Sequence, residues 1–234
     1  MLAVLSSVPL VDWLALIWLI ACWSGYSWYS EYSRAAGSGL VGISARYRQL
    51  WASALLKREL RVADAALIGN LMSTVSFYAN TTIYIIAGLF ALLGTLDKVI
   101  SVTADLPFAR NVNPNVVELK LMALLVIFIF AYFKFTWSLR QFNLQTILVG
   151  AAPVPEDNTP EAEKADFAKR LAAVNAFAGD DFNRGIRAYY FGLATVTWMI
   201  QPWIFMAITA GILVVLYRRD YASPTCKALR LPPQ

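Results

Sequence analysis

Long apolar segments alternate with short charged segments along the chain. The apolar segments cover about residues 12–29, 66–94, 119–150 and 188–217. As helices rising ~1.5 Å per residue, the second and third would exceed the ~30 Å hydrocarbon layer of a bilayer by a wide margin. The pattern predicts an all-α integral membrane protein, with four transmembrane helices in a single domain. The two longest helices must tilt or extend into water.

The segments between the predicted spans, about residues 33–64 and 151–186, hold most of the charge. Residues 40–64 are basic and amphipathic, which predicts a helix on the anionic inner leaflet; a solvated hairpin is the alternative. In the second segment, Thr159-Pro160-Glu161 is typical of a helix start and Gly179 of a helix end. The basic residues expected to face lipid are Arg46, Arg48, Lys57, Arg58 and Arg61.

Composition and charge agree with a membrane protein and indicate an orientation. Of the 234 residues, 59% are apolar, more than a soluble fold of this size can bury. Lysine and arginine concentrate in the two charged segments, so the positive-inside rule places both in the cytoplasm and both termini outside. The basic tail disagrees, because Arg218, Arg219, Lys227 and Arg230 would then lie outside. Basic inner segments without a disulfide pattern fit a bacterial inner membrane.

The second span is amphipathic along its length. Winding it at ~100° per residue collects amides, hydroxyls and a glycine on one stripe and most of the larger aliphatic residues on the other side. An unsatisfied polar group in hydrocarbon costs several kcal/mol, so this stripe must face protein or water. Packing against neighbouring helices and a water-filled path both remain open. The stripe consists of Asn70, Ser73, Thr74, Phe77, Asn80, Thr81, Tyr84 and Gly88.

The third span changes character at Lys134. Its first half is purely apolar, whereas four polar residues then share one helical face, and Arg140 lies on another. Ionisable groups within spans are functional candidates, because charge is costly there; snorkelling to lipid phosphates is the alternative. The residues of the shared face are Lys134, Ser138, Gln141 and Gln145.

The fourth span contains Gln201-Pro202. Pro202 lacks an amide proton, which predicts a kink near the middle of the membrane, either structural or a hinge. Gln201 lies on the same helical stripe as Arg187, which heads that stripe from the cytoplasmic side.

Three blocks of the chain resemble a family of bacterial and plant proteins known as domain of unknown function 599. The blocks are RELRVADAALIGNLMSTVSFYANTTIYIIAGLFALL, ELKLMALLVIFIFAYFKFTWSLRQFN and FNRGIRAYYFGLATVTWMIQPWIFM, in this order. The second has Ser138 and Arg140 in its S-L-R core, and the third has the internal proline. The resemblance implies a four-span membrane protein and assigns no activity and no site residue.

The residue types argue against catalysis. The chain has no histidine, which removes Ser–His and Cys–His pairs and bis-histidine haem ligation and depletes the usual zinc and copper ligands. The sequence also has no glycine-rich phosphate loop. We therefore expect no enzyme, no cofactor, no metal and no nucleic-acid partner.

Two functions remain open on the sequence. The first is a homo-oligomeric channel or permease, with the polar faces of the second, third and fourth spans as one lining. Cations at its inner mouth would attract anions; they are Lys134, Arg140, Arg184 and Arg187. The second is a structural or accessory subunit, whose polar and aromatic faces bury against partner membrane helices while its basic segments contact anionic lipid.

Overall fold

The structure is a computed structural model, and it describes residues 8–32, 36–104 and 113–229. No strand occurs in these ranges, and a single 3₁₀ turn, Ala36–Ser38, precedes α2. The helices are α1 Leu10–Tyr32, α2 Leu40–Leu55, α3 Val62–Gly94, α4 Leu96–Ala104, α5 Pro114–Ala151, α6 Glu161–Thr197, α7 Pro202–Tyr221 and α8 Pro224–Ala228.

Four helical stretches are long and apolar enough to cross a membrane: α1, α3, α5 and the stretch Pro202–Ala228, which joins α7 to α8. This confirms the predicted all-α class and the number of candidate spans. The fourth stretch begins at Pro202 rather than near residue 188.

Helices α5 and α6 form the centre of the molecule as a long antiparallel pair. Ser138 Oγ donates to the carbonyl of Ala178 over 2.7 Å, and Asn175 Nδ2 donates to Gln145 Oε1 over 2.8 Å. Nearer the other end, the ring of Phe135 lies directly on the backbone of Gly185. Because a glycine has no Cβ, the two helices approach closely enough for the ring to fill the space between them.

The predicted stop at Gly179 is wrong, since α6 runs through it from Glu161 to Thr197. The guanidinium of Arg48 occupies the space where a Gly179 side chain would lie, and this packing outweighs the weak helix propensity of glycine.

The predicted kink is instead a reversal of the chain. Helix α6 ends at Thr197, and α7 begins at Pro202, where a missing amide proton costs nothing. Trp198 stacks on Phe205, with ring centroids 5.1 Å apart, so α7 turns back alongside α6. One continuous helix over residues 188–217 does not form.

This reversal determines at which end of the bundle α7 finishes. The hydroxyl of Tyr26 donates to Asp220 over 2.5 Å, and Gly39 contacts the ring of Tyr221, so the end of α7 lies beside the end of α1. The N-terminus of α1 and the C-terminus of α7 therefore lie at opposite ends of the bundle. Arg218, Arg219 and Lys227 therefore lie at the same end of the bundle as the basic residues of α2.

Helix α2 packs along α6 and buries Ile43, Ala52 and Leu55. This differs from a helix lying only on lipid. Of the five basic residues predicted to face lipid, Arg46, Lys57 and Arg58 are exposed, and Arg48, Arg58 and Arg61 have contacts within the protein. Arg48 covers Gly179, and Arg58 pairs with Asp64.

Arg61 caps the C-terminal end of α5. Its guanidinium donates to the carbonyls of Val149, Ala152 and Pro153, at 3.3, 2.7 and 2.6 Å. The last carbonyls of a helix have no hydrogen-bond partner within the helix, and they carry the negative end of its dipole. A cationic donor at this position therefore satisfies the carbonyls and interacts favourably with the dipole.

Replacing Arg61 with methionine is expected to lower the free energy of unfolding by about 2 kcal/mol, because these carbonyls lose a charged donor. Thermal unfolding of the detergent-solubilised protein measures the change. Arg46→Met, at an exposed position of α2, is the matched control. An equal loss of stability in both variants would contradict the capping role.

Candidate functional site

A cluster of charged side chains lies where the ends of α1 and α7 meet the middle of α5 and α6. We call it the junction cluster; it consists of Glu31, Lys134, Asp181, Arg184 and Arg187. Arg184 holds Glu31 through two hydrogen bonds of 2.8 Å, and Lys134 Nζ lies 2.9 Å from Asp181 Oδ1. Arg187 donates to Ser30 Oγ over 2.6 Å.

The local sequence of α6 places its charges on neighbouring positions of one helix side. Asp181, Arg184 and Arg187 follow at intervals of three, so they point towards α1 and α5 together. Arg184 also reaches Asp181 over 3.2 Å and thereby connects the two acids. Hydrogen bonding to Glu31 raises the pKa of Arg184, so this group stays a cation.

On α5, the face that begins at Lys134 meets these charges. Gln141 Nε2 donates to Asp181 Oδ2 over 2.6 Å, while Ser138 bonds the α6 backbone. Asp181 is 5% exposed and accepts from Lys134, Gln141 and Arg184. This buried carboxylate therefore has three donors, and two of them are cations that compensate its charge.

Asp180 lies beside the junction cluster, and one of its carboxylate oxygens has no hydrogen-bond partner in the part of the chain that the structure describes. Its Oδ1 is buried and has no hydrogen-bond partner among the described residues. Burial raises the pKa of Asp180, while Arg48 and the nearby arginines of α6 oppose the increase. Asp180, Arg184 and Arg187 line a cleft of about 370 Å³ between α1, α2 and α6.

The structure thus brings together Lys134, Ser138, Gln141 and Arg187 of the predicted site residues, but it separates Arg140 from them. Arg140 points out of the bundle, with its guanidinium 5.3 Å from the centre of the Trp137 ring. This placement suits a basic side chain at a membrane surface.

The polar stripe of α3 does not pack inside the protein. Helix α3 buries its opposite face, through residues such as Val75, Ala79 and Leu89, and the stripe points outward. Phe77 and Tyr84 are 65% and 76% exposed. The predicted faces of the second and third spans therefore do not form one lining within a single chain.

Gln201 and Pro202 lie at the other end of the bundle, away from the junction cluster. Trp198, in the turn before them, donates from Nε1 to Asp12 Oδ1 over 2.9 Å. Lys120 Nζ lies 3.5 Å from the same carboxylate oxygen. This buried group connects the start of α1 to α5 and to the reversal before Pro202.

The acids of the junction cluster, Glu31 and Asp181, were not among the residues that the sequence predicted for a site. A signal was available: Lys134, inside an apolar helix, requires a nearby anion, and Asp181 precedes Arg184 by three residues. Which acid would reach Lys134 depended on the alignment of α5 with α6.

The comparisons with known proteins identify the family. A search of the curated proteins and a search of the solved structures gave no match. The profile described as "Protein of unknown function, DUF599" matches residues 14–225, which include the junction cluster and all four candidate spans except the first residues of α1 and the last of the fourth. The chain is a member of the DUF599 family.

Proposed function

We propose that this protein is a homo-oligomeric membrane channel or permease in which α3 of each copy faces the symmetry axis. One observation carries the proposal: the polar stripe of α3 lies on the outside of the protomer, opposite the face that packs on α5. The stripe from Asn70 to Gly88 extends for about 27 Å at 1.5 Å per residue, close to the thickness of the hydrocarbon layer.

The asparagines of the stripe have the strongest need for a partner. Thr74 and Thr81 donate to carbonyls one turn earlier, at 3.0 and 2.8 Å. The side-chain amides of Asn70 and Asn80 make no hydrogen bond with other described residues. Amides exposed to hydrocarbon cost several kcal/mol, whereas water or neighbouring amides at an axis would satisfy them.

The same face also carries groups that do not favour exposure to water. Leu67, Phe77 and Tyr84 are exposed beside the amides, so neither lipid nor water alone suits this surface. The helix is open there for close approach, since a Cβ added at Gly69 or Gly88 would meet no atom within 4 Å. Small residues on an outer face are typical of helices that meet in membranes.

The charge of the stripe supports a path for small polar solutes rather than for anions. Its eight residues are neutral. Of the cations expected at an inner mouth, Lys134, Arg184 and Arg187 are engaged by acids or hydroxyls of α1 and α6. Their positive charge is therefore largely compensated.

Cysteine modification at Asn80 tests the proposal. In a chain with Cys22→Ala and Cys226→Ser, Asn80→Cys should form cross-linked oligomers with a short bismaleimide, and a charged methanethiosulfonate reagent should reduce solute flux into liposomes several-fold. Flux of a small polyol, potassium and chloride is measured. The matched control is Val126→Cys, which is exposed on α5 away from the stripe.

The alternative function, an accessory subunit, predicts a different result. Phe77 and Tyr84 would narrow a path and suit a contact with another membrane protein. A monomer without solute flux, or an equal effect of the reagent on flux at positions 80 and 126, would overturn the channel proposal. Cross-linking at position 80 without flux would support self-assembly but reject transport of these solutes.

A further inference from the structure

A second cleft, of about 530 Å³, lies between α2, the middle of α6 and the end of α7. Three arginines reach its wall: Arg48 from α2, Arg187 from α6 and Arg219 from α7. Asp220 is the single carboxylate among the described residues of this wall, and it accepts a hydrogen bond from Tyr26. Arg187 also lies 3.7 Å from Glu31, whereas Arg48 and Arg219 make no ion pair within 4 Å with the described residues, so the positive charge of the lining resides mainly on these two.

Several donors in this cleft lack a partner. Arg48 makes no ion pair within 4 Å and no hydrogen bond with described residues; its guanidinium lies against Gly179, and the Asp180 carboxylate acts on it only at longer range. Ser44 and Asn183 line the cleft and make no hydrogen bond with described side chains or carbonyls. All three side chains are only partly buried, so their donors remain accessible to a ligand with several acceptor oxygens.

The start of α2 adds to the positive potential. Leu40 and Val41, in its first turn, line the cleft, and the N-cap Gly39 offers no side-chain acceptor to the first amides. The N-terminal end of a helix carries a partial positive charge and unpaired N–H groups, which favour an anion.

We propose that this cleft binds the phosphate group of a phosphate ester. Guanidinium groups match the geometry and charge of phosphate oxygens, and hydroxyl and amide groups complete its hydrogen bonding. The cleft lies at the end of α7, a candidate span, where phosphates of lipid headgroups are found in a bilayer. A soluble phosphate ester presents the same chemistry, so the two sources require separate probes.

Binding to the full chain in phosphatidylcholine nanodiscs tests the site. Two probes are titrated at low ionic strength: a short-chain phosphatidic acid and glycerol 3-phosphate, which share a phosphate monoester. Arg48→Gln/Arg219→Gln is compared with Arg46→Gln/Arg218→Gln, which removes the same charge from exposed positions outside the cleft lining. Thermal unfolding of each variant checks its fold.

We expect saturable binding of at least one probe, weakened about tenfold or more in the cleft variant and little changed in the control. Binding of the lipid alone assigns a headgroup site; comparable binding of both probes assigns a site for soluble esters. If the double variant does not fold, Arg219→Gln alone is compared with Arg218→Gln. Absence of saturable binding, or equal weakening in cleft and control variants, would overturn the proposal.

Discussion

Asp181→Ala is expected to destabilise the protein by about 3–5 kcal/mol, the cost of breaking a buried ion pair by removing one partner. Asp181 is 5% exposed, and its carboxylate accepts from Lys134, Gln141 and Arg184. Without it, the ammonium of Lys134 stays between α5 and α6 with no anion in contact. The penalty arises from this uncompensated charge rather than from the lost hydrogen bonds alone.

Unfolding of the detergent-solubilised protein, followed by circular dichroism, measures this loss. Asp166→Ala is the control, because Asp166 belongs to an exposed pair with Arg170 on the same helix, and such pairs contribute little. Lys134→Met/Asp181→Ala should be more stable than Asp181→Ala, since the orphaned cation is gone. Equal stability of those two variants would show that Lys134 does not depend on Asp181.

Gly185→Ala is expected to cost about 2 kcal/mol, although alanine favours a helix by about 1 kcal/mol over glycine. A Cβ at this position would lie 2.4 Å from Cε1 of Phe135. The ring cannot move away easily, because Phe135 is fully buried and packs against Tyr78, Phe182 and Tyr189. Steric overlap therefore outweighs the gain in helix propensity.

Gly25→Ala provides a control of opposite sign. A Cβ at Gly25, in the middle of α1, meets no atom within 4 Å, so this variant should be as stable as the parent or slightly more stable. Adding Phe135→Leu to Gly185→Ala should cost less than the sum of the single changes, because the smaller side chain leaves room for the methyl group. A stable Gly185→Ala variant would contradict the close contact.

Much of the architecture could be predicted from residues near one another in the chain. Apolar runs of sufficient length identify the spans, because crossing hydrocarbon is a local requirement on each segment. The shared face of Lys134, Ser138 and Gln141 also follows from the sequence, since the helical repeat determines which side chains lie together. These intervals of four and three residues place the side chains on one face whatever the helix packs against.

The side of the bundle to which a helical face turns does not follow from the local sequence. The sequence predicted which residues of α3 form its polar stripe, but the helical repeat does not say whether the stripe turns towards the core or away from it. That rotation follows from the fit of Val75, Ala79 and Leu89 against α5, which involves contacts between distant segments.

Gly179 and Pro202 also show the difference between what the local sequence predicts and what packing decides. Local propensity marks both residues as breaks, yet α6 continues at the first and the chain reverses at the second. The guanidinium of Arg48 and the stacking of Trp198 on Phe205 account for the outcomes, and both involve residues brought together only by folding. Spans and faces are local properties of the chain, whereas rotation, reversal and charge pairing depend on the packing energy of segments far apart in sequence.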